Sequence, residues 1–183
     1  MKIKFQLINK KLRGFTLVET LVAISILMLA VTGPLYFAAE SLKAATYAKD
    51  QITAFYLAQD AFEQIREIRS SNITKSSSWL TGISGVCDSL CKIDPHVTTT
   101  PVACVGNCGA IKRTDDGKYG YGYTSNGWND TPFNRSIKVE TTENETVDGV
   151  TSPTEVKVTV TITWKSGTID RVFTAYEFLR NVN

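Results

Sequence analysis

Residues 15–39 form an apolar run of 25 residues in which Glu19 is the only charged side chain. No other feature restricts the fold as strongly. As a helix rising about 1.5 Å per residue, the run would span roughly 37 Å, more than a hydrocarbon core of about 30 Å. The fourteen residues before it carry five basic side chains (Lys2, Lys4, Lys10, Lys11 and Arg13) and no acidic one. A basic stretch followed by an apolar one is the order of a membrane-insertion segment, with the positive end retained in the cytoplasm. A secretory signal has an apolar region of only about 7–15 residues. This run is longer and leads straight into helix-like sequence, so it is expected to remain in the mature protein, with the bulk of the chain facing outward.

The charge balance depends on that leader. The whole chain has 20 basic and 18 acidic side chains, whereas residues 15–183 have 15 basic and 18 acidic. A formal charge of +2 thus becomes −3, and residues 72–183 alone hold 11 basic and 12 acidic side chains. Nucleic acid is therefore not an expected partner.

At the junction stands Arg13-Gly14-Phe15-Thr16-Leu17-Val18-Glu19. A protease at a membrane face needs accessible backbone, and Gly14 offers no side chain and disfavours continuous helix. An isolated carboxylate such as Glu19 is costly in hydrocarbon, which makes it a functional candidate. This stretch closely resembles the cleavage and methylation signature of type IV prepilins, shared with secretion pseudopilins and competence pilins. The resemblance implies cleavage between Gly14 and Phe15 by a prepilin peptidase, N-methylation of Phe15, and a mature chain of 169 residues. It implies also that Glu19 sets axial register by pairing with the N-terminal ammonium of a neighbouring subunit. A plain single-span anchor with Glu19 at the interface is the alternative.

Beyond the apolar run, residues 41–71 keep a helical period, with Phe55, Ala58, Phe62 and Ile65 flanked by Leu57, Ala61 and Ile68. Ser70-Ser71-Asn72 is the expected stop, giving one helix over residues 15–71: an apolar half, 15–39, and an amphipathic half, 40–71. Gly33-Pro34 interrupts it, and proline removes a backbone bond, so a kink is expected there. In the family a proline at this depth is associated with helix melting during assembly. Residues 57–66 look like the corresponding segment of PilV-type minor pilins.

Residues 72–183 read as a β-rich head. Residues 155–164 alternate Val156, Val158, Val160 and Ile162 with polar side chains, as a strand with one buried face does. Ser166-Gly167 is a plausible turn, and residues 169–179 return as the second arm. Residues 119–124 and 136–142 are further strand candidates, while residues 76–134 otherwise look irregular. The turn from Thr163 to Gly167 also looks like the terminal hairpin of those minor subunits. The expected fold class is α+β: the type IV pilin fold, a long N-terminal helix packed on an antiparallel sheet.

Cys87, Cys91, Cys104 and Cys108 form two C-x3-C pairs. Outside the cytoplasm they suggest two disulfides in any of three pairings. A four-cysteine metal site is the alternative, although zinc sites more often use C-x2-C spacing. Asp115-Asp116-Gly117 and residues 126–130 read as surface turns rather than a calcium loop. Tyr119, Tyr121, Tyr123 and Trp128 fit either an aromatic binding face or a packed strand. No nucleophile–base pair supports an enzyme, and no cofactor or metal is expected. The resemblance implies as partners other pilins, the prepilin peptidase and an inner-membrane platform protein. It places the chain in the inner membrane and then in an extracellular or periplasmic filament. A tip adhesin and a type II secretion pseudopilus subunit are the alternative roles.

Overall fold

The computed structural model describes residues 14–94, 96, 98–121 and 127–181. A single helix, α1, runs Leu17–Thr74. Seven strands follow: β1 Cys91–Asp94, β2 Thr98–Ala103, β3 Ala110–Thr114, β4 Tyr119–Gly120, β5 Trp128–Val147, β6 Val150–Ser166 and β7 Ile169–Arg180. This is the α+β architecture expected from the resemblance. The chain divides into two compact units, Met1–Thr46 and Tyr47–Asn183.

In the second unit the helix buries Ala54, Leu57, Ala58, Ala61, Gln64 and Ile65. Leu57, Ala58, Ala61 and Ile65 belong to the expected stripe, and Ala54 and Gln64 extend it. Phe55 remains 47% exposed, and Phe62 and Ile68 lie at the margin of the core. Three alanines at the centre let the helix backbone approach the sheet closely, and the aromatic rings are left to the edges. The Phe55 ring meets Phe173 of β7 edge-on at 6.3 Å.

The sheet is antiparallel throughout. β5, β6 and β7 form its long part, and β5 is also paired along its other edge by β3 and, at Ile137, by β1. Alternation puts Phe133, Ile137 and Val139 of β5 and Val156, Val158, Val160, Ile162 and Trp164 of β6 into the core with the helix seam. Each such aliphatic burial contributes about 1.5–3 kcal/mol. The β6–β7 hairpin closes through Gly167 and Thr168, since Ser166 pairs with Ile169. The expected second arm is therefore β7. The β5–β6 hairpin closes at Asp148-Gly149, whose φ angles of 51° and 81° suit the primed turns that match strand twist.

Residues 76–134 are less irregular than expected. They contain β1 to β4 and contribute Trp79, Leu80, Ile83, Cys87, Cys91, Ile93 and Ile111 to the core. The helix also runs past Ser70-Ser71-Asn72 to Thr74. It stops in a Schellman arrangement: Ser77 N–H donates to Asn72 O at 2.9 Å and Ser76 N–H to Ile73 O at 3.0 Å. Ser76 takes the left-handed conformation this requires, with φ 55°.

Candidate assembly segment and the head

Gly14, Phe15 and Thr16 precede the helix as exposed, non-helical backbone. A Cβ built on Gly14 would meet nothing within 4 Å, so glycine is not required there by packing. Thr16 caps α1. Its Oγ1 accepts the Glu19 N–H at 3.3 Å, and its carbonyl accepts the Thr20 N–H at 3.2 Å. Thr16-x-x-Glu19 therefore has the spacing of a capping box, with Glu19 at the third helical position, where a carboxylate also complements the helix dipole. Sequence reasoning overlooked this role, although the four-residue pattern was visible.

From Leu17 onward the first unit presents apolar side chains on all faces, and Phe15 is 79% exposed. The helix is long and apolar enough to cross a membrane. Three of its hydroxyls are satisfied internally: Thr20 donates to Leu17 O, Ser25 to Leu21 O and Thr32 to Met28 O, at 2.8–2.9 Å. That arrangement suits hydrocarbon, where no water is available to bond them. Helical structure continues through Gly33 and Pro34. Among the described residues Glu19 has no cationic partner.

In the head the cysteines pair sequentially, Cys87 with Cys91 and Cys104 with Cys108. The four-cysteine metal alternative is thereby set aside. Cys87 and Cys91 are core residues, Val139 N–H donates to Cys87 O at 2.8 Å, and the Cys108 sulfur lies 3.5 Å from Cys91 O. The two staples thus sit together against β5.

The most consequential residue missed by the sequence reading is Arg135, only 2% exposed. Its Nη1 donates to Leu57 O at 3.1 Å and to Asp60 Oδ2 at 2.6 Å, both on α1, while Nη2 donates to Ile93 O of β1 at 3.1 Å. One guanidinium thus ties helix, central strand and first strand together. Tyr121 packs beside it and donates its hydroxyl to Arg135 O at 3.0 Å. Buried in this way, Tyr121 cannot belong to an exposed aromatic face. Tyr119 and Trp128 are half-buried, and Tyr123, Thr124, Asn126 and the basic leader residues lie outside the described residues.

Several surface charges are locally paired. Glu177 of β7 grips Arg66 of α1 through both carboxylate oxygens, at 3.1 and 2.6 Å, which raises the arginine pKa above its ordinary value. Arg180 and Thr142 hydrogen-bond Glu155 and lower its pKa. Asp116 is lowered to about 2 by hydrogen bonds from Lys118 and then Thr114. Asp115 accepts the Asn129 amide at 2.9 Å, so this acidic pair closes a turn.

Residues 9–33 match the family model of the prokaryotic N-terminal methylation motif. The match covers the junction and the first 19 of the 25 residues of the apolar run. It supports a type IV pilin-like or pseudopilin subunit. No curated protein and no solved structure matches the chain.

Proposed function

We propose that this chain is the precursor of a minor subunit of a type IV pilus or related filament, stored in the inner membrane and assembled through its N-terminal helix. The methylation motif lying across the junction carries the reading. The exposed coil at Gly14–Thr16 gives a peptidase an extended substrate, and Gly14 leaves its active site unobstructed. Hydrolysis of the Gly14–Phe15 amide by water leaves a Gly14 carboxylate and a free Phe15 amine, which then takes a methyl group from an external sulfonium-type methyl donor, releasing the thioether and a proton. Phe15 lies just before α1 and Glu19 in its first turn, so each subunit presents an ammonium and a carboxylate at one end of its apolar helix. Staggered neighbours neutralise one another there, removing the cost of an isolated carboxylate in hydrocarbon.

The two disulfides support a head outside the cytoplasm. The resemblance of residues 57–66 and of the Thr163–Gly167 turn to minor pilins supports a minor rather than a major role. The prepilin peptidase, the platform protein and other pilins are the partners of this scheme, and Gly33-Pro34 is the place where the helix yields on assembly.

Co-expression with a prepilin peptidase tests the proposal. N-terminal peptide mass is expected to show loss of residues 1–14 and one methyl group on Phe15, both abolished by Gly14→Leu. An unprocessed N-terminus beside an active peptidase would point to a plain anchor instead.

A further inference from the structure

The Gly14–Phe15 bond lies just before α1, which begins at Leu17. The backbone bond that opens the helix runs from Thr20 N–H to Thr16 O at 3.2 Å. One residue earlier, the Glu19 N–H turns instead to the Thr16 hydroxyl at 3.3 Å. Among the described residues no N–H donates to the carbonyls of Gly14 and Phe15.

Those are the two carbonyls that a helix continued upstream would consume. An α-helix joins each N–H to the carbonyl four residues back, so Glu19 N–H would take Phe15 O and Val18 N–H would take Gly14 O. The second of these belongs to the scissile amide. An N–H without a partner is costly in hydrocarbon, so a Glu19 N–H deprived of its cap is satisfied by extending the helix rather than by fraying it. Packing offers no obstacle to that extension, since a Cβ at Gly14 meets nothing within 4 Å, and glycine opposes helix only moderately. The side chain that stops the helix short of the scissile carbonyl is therefore Thr16. The match of residues 9–33 to the methylation motif is an independent reason to expect processing at this junction.

We propose that Thr16 is a positioning residue for the peptidase. Its hydroxyl takes the Glu19 N–H, holds the start of α1 at Leu17, and leaves the Gly14 carbonyl free for the attack of water. The inference rests on the filament-precursor reading. The effect is exerted in the free substrate: an uncapped chain spends part of its time helical through Gly14, and only the remaining fraction can be cut.

Steady-state cleavage of the full chain in detergent by a prepilin peptidase, checked beforehand on a prepilin it is known to cut, provides the test. Thr16→Val keeps the side-chain shape but cannot accept the Glu19 N–H. Loss of the cap lowers the cleavable fraction, so KM is expected to rise about fivefold with kcat unchanged. Thr16→Ser and Thr16→Asn cap a helix as well as threonine does, and should stay within about twofold of the unaltered chain. Carbonyl 13C shifts of Gly14 and Phe15 should move towards helical values in Thr16→Val alone. A Thr16→Val chain cut like the unaltered one, a loss shared by Thr16→Asn, a fall in kcat at constant KM, or unmoved carbonyl shifts would each overturn the proposal and leave the filament reading standing. An unaltered chain that the active peptidase does not cut removes the filament reading, and this inference with it.

Discussion

Replacing Arg135 should weaken the head more than any surface ion pair does. Arg135→Ala removes three hydrogen bonds at 2.6–3.1 Å. Leu57 O lies inside α1 and retains its helical partner, and Asp60 is half exposed, so water compensates both in part. The Ile93 carbonyl loses its charged donor and the side-chain volume is left empty. A buried carbonyl without that donor costs about 1–3 kcal/mol, the cavity adds to it, and relief of guanidinium desolvation subtracts. The net expectation is about 3 kcal/mol. Arg135→Met refills the volume without a charge, so it should cost about half as much. Urea unfolding of the processed chain in detergent, followed by near-ultraviolet circular dichroism of the tryptophans, measures both. With a slope of about 1.5–2 kcal/mol per molar, the alanine midpoint falls by about 1.5–2 M. A loss below about 0.5 kcal/mol for alanine, or a methionine variant weaker than the alanine one, would refute the reasoning that one buried guanidinium joins α1, β1 and β5.

Three further outcomes follow from the same structure. Cys104→Ser with Cys108→Ser opens a five-residue loop and should cost about 2 kcal/mol on the chain-entropy account, whereas Cys87→Ser with Cys91→Ser also buries hydroxyls in the core and should cost more; the urea midpoints of the two double variants rank them. Ser76→Gly relieves a left-handed serine and should raise stability by about 0.5–1 kcal/mol in the same assay, provided the Schellman end is formed. Acid should weaken the head as pH falls from about 4.5 towards 2. Asp116 and Glu155 are held below their ordinary values of 3.8 and 4.5, so their contribution is complete above those values and vanishes as each folded carboxylate protonates. Carboxyl NMR titration should place Asp116 near 2 and move it up towards the ordinary range in Lys118→Ala, with the Thr114 hydrogen bond still holding it somewhat low; an unchanged value in that variant would contradict the assignment of cause.

What the sequence disclosed depended on how many residues repeated each signal. The apolar run and the alternation of β6 extend over many positions, so both were readable, as was the hairpin through Gly167. β1 to β4 are two to six residues long and bury few side chains each, too few to establish a period. Their core contribution rests on cysteines and isolated isoleucines. The helix stripe was legible through Leu57, Ala58, Ala61 and Ile65, but Phe55 was given a central place that the small alanines hold. Arg135 was legible in principle: period two through Phe133, Ile137 and Val139 places it on the inner face. A charged residue in that row was read past, because burial of arginine needs partners that no local pattern reveals. Asp148-Gly149 and Thr16-x-x-Glu19 carried local signals that were open to recognition.

Glu19 carries the central claim, and the cap geometry supplies the variant that isolates its charge. Glutamine serves the third helical position of a capping box as glutamate does, so Glu19→Gln preserves the helix start while removing the carboxylate. Peptidase processing and incorporation of Glu19→Gln into sheared filaments, measured side by side by quantitative mass spectrometry, test assembly directly. Charge pairing between subunits predicts a chain that is cut and methylated normally but lost from the filament fraction. Normal incorporation of Glu19→Gln would contradict the account and reduce Glu19 to a helix cap.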